Sequence, residues 1–421
     1  MASREILPGT GGSPSVATVV LVGTLDTKGT ENDFVRDRLR AAGVDVLVVD
    51  AGVLEAPAFT PDITRREVAA AAGADFDALV AAHDRGAAIT AMAEGAAVVV
   101  RRLYDTGVLD GALALGGTGG TSIATRAFRE LPLGVPKIVV STAASGNTAA
   151  YIGETDLVLM PSVVDIAGLN RISSRILSNA AAAMAGMVNT APPPDGSQRP
   201  LVAASMFGVT TPCITRARAR LEALGYEVLV FHMTGTGGRV LESLAAQGLL
   251  AGVLDVTTTE LADELVGGIF SAGPGRLSAA GQAGIPQVVS VGALDMVNFG
   301  PMDSVPEKFR ERNLYVHNPI TTLMRTTPDE CAELGSRLAE RLSGATGPTT
   351  LYLPLQGISA IAVPGGPFHD DAADQALFGA IFDKLDTEKV AVVQMDVDVN
   401  DGRFADAMVD KLHEQITAVA R

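Results

Sequence analysis

Tryptophan is absent from this chain of 421 residues, and aromatic residues make up only 4% of it. Packing therefore falls to Ala, Val, Leu and Gly, which suit closely spaced helix and sheet layers. Cysteine is nearly as scarce. Cys213 and Cys331 stand alone, which excludes a CxxC metal knuckle and a disulfide framework, and two thiols fit a reduced compartment. Basic residues are outnumbered, 32 Lys and Arg against 48 Asp and Glu, for a formal charge of −16. A nucleic-acid surface needs clustered positive charge, so nucleic acid is excluded as a partner, and the acidity is read as solubility. No run approaches the ~18 apolar residues of a membrane helix. Met1 to Val16 is polar and lacks the apolar centre of a signal peptide. The expectation is a cytoplasmic protein with no membrane contact.

What the chain does have is glycine in telling places. Gly23-Thr24-Leu25-Asp26-Thr27-Lys28-Gly29 follows the apolar run Val19 to Val22, and Gly116-Gly117-Thr118-Gly119-Gly120-Thr121 follows Ala112 to Leu115. Each sits where a buried strand hands over to a helix. Glycine lets the backbone approach a ligand closely, and a helix start offers unpaired N–H groups and a positive dipole end. Two such turns point to an anion site, most simply for nucleotide phosphates.

Residues Ala191 to Arg199 carry three consecutive prolines, a composition that ends a helix and suits a linker. The expected domains are 1–190, 191–199 as linker, and 200–421. Val19–Val49 reads strand, Gly/Thr turn, amphipathic helix, Ala-Gly break, strand. Leu201–Phe231 repeats this at an offset of 182, with Arg36 on Arg218, Leu39 on Leu221 and Gly43 on Gly225. Gly43 and Gly225 fall where helix C-caps belong. Further strands are expected at 111–115, 137–141, 157–160, 252–255, 287–291, 350–353 and 390–394. Helices are expected at 87–104, 121–130, 164–188, 240–247, 258–270, 328–342, 372–385 and 404–418. Strands alternating with helices predict an α/β fold of two Rossmann-like, doubly wound domains with mainly parallel sheets, and ligands at the carboxyl ends of the strands.

In the first turn, Asp26, Thr27 and Lys28 offer a carboxylate, a hydroxyl and an ammonium, the groups a magnesium–triphosphate needs. The spacing is neither GxxxxGK[ST] nor GxGxxG. The second turn has four glycines and can wrap an anion with backbone amides alone. Asp50-Ala51-Gly52 follows the second strand; Asp50 either accepts a ribose hydroxyl or caps the next segment. Gly95, inside a helical pattern, admits a ligand or another helix. In the second half, His232 at a strand end opens a third Gly/Thr turn, Thr234 to Gly238. Asp255 precedes a run of threonines and reads as a site residue or a cap. His232, Asp295 and His317, with His369 and Asp374, are candidates for one acid–base or metal site.

The first and second turns, with 232–238, 292–299, 315–319 and 364–368 in this order, resemble a bacterial and fungal family. Its plant relatives form the ATP-binding N-terminal region of the tomato mosaic virus resistance protein. The resemblance runs from about Val16 to the C-terminus. It implies ATP and magnesium in the first half, two Rossmann-like domains and a homodimer. In plant relatives a TIM-barrel domain resembling phosphoenolpyruvate hydrolases follows, so a separately encoded partner of that type is implied here.

The expected ligand residues are Gly23, Thr24, Asp26, Thr27, Lys28, Asp50, Gly52, Gly116, Gly117, Thr118, Gly119, Gly120 and Thr121. Lys28 and the amides of 118–121 would hold phosphate, Asp26 and Thr27 would meet magnesium, and Asp50 the ribose. The second domain would close over the nucleotide or bring a small acidic metabolite. Two alternatives stand beside this reading. One is a metabolic enzyme working through His232, Asp295 and His317, with ATP as cosubstrate or regulator. The other is an ATP-gated interaction module.

Overall fold

The computed structural model describes residues 16–191 and 199–419; residues 192–198 of the expected linker lie outside them. The chain divides into two compact units, Met1–Pro194 and Asp195–Arg421.

The first unit runs β1 (Thr18–Gly23), α1 (Leu25–Ala41), β2 (Asp45–Asp50), α2 (Arg65–Ala71), α3 (Phe76–Ala81), α4 (Arg85–Asp105), β3 (Gly111–Gly116), α5 (Thr118–Phe128), β4 (Lys137–Ser141), α6 (Ala149–Ile152), β5 (Val158–Pro161) and α7 (Arg171–Asn189). Its sheet has the order β2-β1-β3-β4-β5 and every pairing is parallel. The strands are apolar on both sides because both faces are covered. Val19 and Leu21 pack with α1 and α7, while Val20 and Val22 pack with α4 and α5. Gly43 ends the α1 turn at φ 78, the left-handed cap that glycine adopts without penalty.

Gly95 of α4 serves helix packing. A Cβ there would lie 1.9 Å from the Val68 carbonyl oxygen of α2. Gly95→Ala is therefore expected to destabilise the first unit by about 1–3 kcal/mol. That overrides the ~1 kcal/mol alanine brings to a helix interior. A shift of the urea midpoint to lower concentration is the readout; an unchanged or raised midpoint would contradict the contact.

The second unit runs β6 (Leu201–Met206), α8 (Thr211–Ala223), β7 (Glu227–His232), α9 (Thr236–Ala246), β8 (Gly252–Thr257), α10 (Glu260–Val266), α11 (Ala279–Gln282), β9 (Gln287–Gly292), β10 (Met296–Phe299), β11 (Leu314–Asn318), β12 (Thr321–Arg325), α12 (Pro328–Ser343), β13 (Thr349–Pro354), α13 (Asp371–Lys384), β14 (Val390–Met395) and α14 (Gly402–Val419). Its parallel sheet has the order β14-β13-β9-β8-β6-β7. One face packs against α8 and α14, the other against α10, α12 and α13. Both units are α/β with parallel sheets flanked by helices, as the strand–helix alternation predicts.

Three expectations need correction. An antiparallel sheet, β10-β12-β11, joins the second unit; Tyr315 to Pro319 reads in the sequence as a strand end, and β11 lies there, but β10, β12 and the antiparallel pairing were not expected. The helix expected over 164–188 starts only at Arg171, where Asn170 caps it, because Val163 (φ 63) and Gly168 (φ 82) are left-handed and cannot be helical. The helix expected over 258–270 spans only Glu260–Val266, ended by Gly267 at φ 94. Among the described residues no helix is long and apolar enough to cross a membrane.

Candidate functional site

In the first sheet β1 and β3 are neighbours, yet their following helices leave to opposite faces, α1 with α7 and α5 with α4. That divergence opens a crevice at the strand ends, the place where ligands bind in open α/β sheets. Both N-terminal glycine turns sit there, one on each side.

The first turn is tightly determined. Thr24 is the N-cap of α1, with no side-chain cap; its hydroxyl lies 3.0 Å from that of Thr27. The N–H groups of Thr27 and Lys28 donate to the Thr24 carbonyl. The helix breaks at Lys28 (φ −127, ψ 26), and the buried Asn32 holds the break, its Nδ2 donating to the Lys28 carbonyl at 2.8 Å. A Cβ on Gly23 would fall 2.4 Å from Asn32 Oδ1, so this position requires glycine. The Lys28 ammonium donates to the Ile166 carbonyl.

Asp50 lies beneath this turn, fully buried. Its Oδ1 accepts from the N–H groups of Leu25 (3.1 Å) and Gly52 (2.9 Å), a tie between the ends of β1 and β2. Burial pushes its carboxyl above the usual range, against the pull of those two N–H groups and of Arg65. Asp26 packs on Gly52, whose absent Cβ would meet the Asp26 carboxylate at 2.6 Å. Asp26 Oδ2 accepts from the Leu54 N–H at 2.7 Å. Three buried oxygens here have no partner: Asp26 Oδ1, Asn32 Oδ1 and Asp50 Oδ2.

The second turn is the start of a helix. Gly117 is the N-cap of α5, without a side-chain cap, so Thr118, Gly119 and Gly120 form the first helical turn, whose N–H groups have no intrahelical acceptor. Gly116 lets the helix start lie close, since a Cβ there would approach Gly120 Cα to 3.0 Å. Thr121 is fully buried and shares a 2.6 Å hydrogen bond with Ser141, which fixes the helix start to β4. Arg85, at the start of α4, places Nη2 3.8 Å from where a Gly119 Cβ would stand. Sequence reasoning passed over Arg85 and Asn32; the signal for the first was Asp84, whose side chain caps α4 three residues before the expected helix start.

The second unit's candidates fall into two groups: His232 and His317 approach the adjacent residues Phe207 and Gly208, and Asp295, Asp374 and His369 lie around Arg325. His232 ends β7, and its ring lies 5.3 Å from that of Phe207; burial lowers its pKa. His317 Nε2 lies 3.9 Å from the Cβ position of Gly208. Both histidines are exposed. Asp295 is sealed inside, accepting from Ser359 Oγ at 2.8 Å. Burial pushes its carboxyl up to about 6, against the nearby Arg325. His369 lies 3.6 Å from Asp371, and Asp374 pairs with Arg325 at 2.9 Å. Among the described residues no group of three or more His, Cys, Asp or Glu could hold a metal ion.

The third Gly/Thr turn is already occupied by the protein's own carboxylate. Glu260 Oε1 accepts from the N–H groups of Gly235 (2.7 Å) and Gly238 (3.0 Å). A Cβ on Gly238 would lie 1.9 Å from Glu260 Oε2. The glycines here admit Glu260. Asp255 is likewise internal, forked against Arg276 at 2.5 and 2.7 Å.

Sequence models of the uncharacterised protein family UPF0261 match both halves, its N-terminal domain over residues 17–193 and its C-terminal domain over 199–416. A UPF0261 protein of Clostridium tetani is 48% identical over 394 residues, covering 94% of this chain and 98% of that protein. One from Mesorhizobium japonicum is 46% identical over 392 residues, covering 93% and 97%. The ToMV resistance protein Tm-1 of Solanum lycopersicum is 44% identical over 336 residues, 78% of this chain and 45% of the tomato protein.

Proposed function

This chain belongs to the UPF0261 family, and we propose that it binds a nucleotide polyphosphate, ATP with magnesium, in the crevice between β1 and β3. The observation that carries the reading is the meeting of two glycine-bounded helix starts, neither with a side-chain cap, at the ends of adjacent parallel strands. A polyphosphate is long enough to touch both. The second start offers the N–H groups of Thr118, Gly119 and Gly120. In the first, the Leu25, Thr27 and Lys28 N–H groups are taken by Asp50 and Thr24, and the Lys28 ammonium is the donor.

In this reading the amides of Thr118, Gly119 and Gly120 hold phosphate oxygens, and Arg85 and Lys28 bring the positive charge. Asp26, with Oδ1 free of any partner, and Thr27 face the magnesium ion, whose contribution is to offset phosphate charge. Asp50 holds the turn in shape, and its second oxygen is what remains for a ribose hydroxyl. Gly23, Gly52 and Gly116 keep side chains out of the floor.

Calorimetric titration with Mg-ATP tests this. Lys28→Met and Arg85→Met should each weaken binding about 10- to 100-fold, the roughly 1.5–3 kcal/mol of a hydrogen bond to a charged group. His232→Ala should leave it unchanged. Absence of binding to the wild-type chain, or equal affinity in all three variants, overturns the reading.

A further inference from the structure

Residues 162–170, expected as the first turns of a helix, instead run as a strap. It leaves the end of β5 and is tied to the end of β4, where the Ser162 N–H donates to the Ser141 carbonyl. It ends on α1, where the Gly168 N–H donates to Glu31 Oε1 at 2.6 Å and the Lys28 ammonium donates to the Ile166 carbonyl. The sheet order β1-β3-β4 requires a segment joining these points to pass the end of β3. The strap therefore borders the crevice on its α1 side. Ile166 itself is buried in the core between α1 and α7.

We propose that Lys28 is the latch of this strap, and that a phosphate-bearing ligand in the crevice takes its ammonium from the Ile166 carbonyl and loosens the strap. The proposal rests on the anion site argued above. An ammonium has donors to spare, but its four-carbon stem is rooted at the Asn32-held break of α1, which limits what it reaches at once. Phosphate is the stronger acceptor, because its oxygens carry a negative charge for the ammonium and the Ile166 carbonyl does not. Glu31 and Ser141 keep the ends of the strap in place, so the change is local. It is displayed outward, since the strap carries Val163, 79% exposed, and Leu169, and Ile172 follows it at 53%. Lys28 would thus report occupancy of the crevice at an apolar surface.

Hydrogen–deuterium exchange on the intact chain tests this in two steps. Without ligand, Lys28→Met should speed exchange of the amides of 162–170 about tenfold, the effect of losing one charge-assisted hydrogen bond from a local opening equilibrium, and Lys28→Arg should restore much of the protection. Wild-type rates in Lys28→Met overturn the latch. In the second step, saturating inorganic pyrophosphate should move the wild-type strap toward the Lys28→Met rate. Slower exchange, or no change with pyrophosphate demonstrably bound, overturns the exchange of partners. Failure of pyrophosphate to bind at all removes the anion site and with it the second step, while the ligand-free comparison still decides the latch.

Discussion

Arg276→Met is expected to destabilise the second unit by about 3–5 kcal/mol, the cost of stripping a buried ion network of the cation at its centre. Arg276 is fully buried. Its guanidinium forks onto Asp255, reaches Glu260 Oε2 at 2.6 Å through Nε, and touches Glu242 Oε1 at 3.2 Å. Three carboxylates thus converge on one positive charge, and two of them, Asp255 and Glu260, are themselves buried. Methionine matches the length of the stem but leaves those carboxylates without a counterion in a medium that solvates them poorly. Glu260 also holds the Gly235 and Gly238 N–H groups, so the 234–238 turn loosens with it. Arg276→Lys keeps the charge but loses the fork, and should fall between the two. The penalty should be largest above pH 7 and shrink in acid, where the orphaned carboxylates take up protons. Urea unfolding of the intact chain, followed as separate transitions of its units, measures it. A loss below about 1 kcal/mol at pH 7.5, the size of an exposed pair, would mean that the network is not buried.

The contrast between this network and the N-terminal crevice shows where sequence reasoning reaches its limit. The two βαβ openings were legible because apolar runs, helical periodicity and a break glycine coincide in each, and Gly43 and Gly225 both take left-handed φ, 78 and 94. The three glycine turns looked alike as strings. None of the three is capped by the side chain of its own N-cap residue, but the third is filled by Glu260, which lies 22 residues beyond Gly238 and gives no local sign of its role. That the first two turns are neighbours follows from strand order alone, since β2 lies outside β1 and leaves its other edge to β3. Arg276 sits in Pro274-Gly275-Arg276-Leu277-Ser278, a stretch with the composition of an exposed loop. Nothing short of its tertiary partners marks it as buried. The antiparallel sheet escaped notice because β10, β11 and β12 follow one another with no α-helix between them, outside the strand–helix alternation on which the reading rests. The strap escaped because its apolar spacing continues that of α7, while one glycine and one strained valine break the helix.

Asp263→Asn should make the second unit progressively more stable than wild type as pH rises from 4 to 8. Asp263 is fully buried. Burial pushes its carboxyl up to about 7, although the Asn298 side chain (2.6 Å) and the N–H groups of Phe270 and Asn298 favour the ionised form; Glu260 pushes the same way as burial. An unfolded aspartate titrates near 3.9. Between roughly pH 4 and pH 7 the folded chain therefore binds more protons than the unfolded one, and stability falls as pH rises through that window. A shift of about three pKa units corresponds to about 4 kcal/mol lost by pH 8. Asparagine cannot ionise, so it escapes the loss. It also fits the site, because Asn298 Oδ1 is buried without a partner and can accept from the new amide once the Asn298 amide turns over. The stability difference between variant and wild type, from urea unfolding, should be small at pH 4 and grow to about 4 kcal/mol at pH 8. A difference independent of pH would show that Asp263 is ionised throughout. Asp295, pushed up to about 6, adds its own loss across pH 4 to 6. Asp263→Asn should therefore flatten the wild-type profile above pH 6 while leaving a slope below it, and a profile flat over the whole range would place the Asp295 carboxylate in full partnership with Arg325.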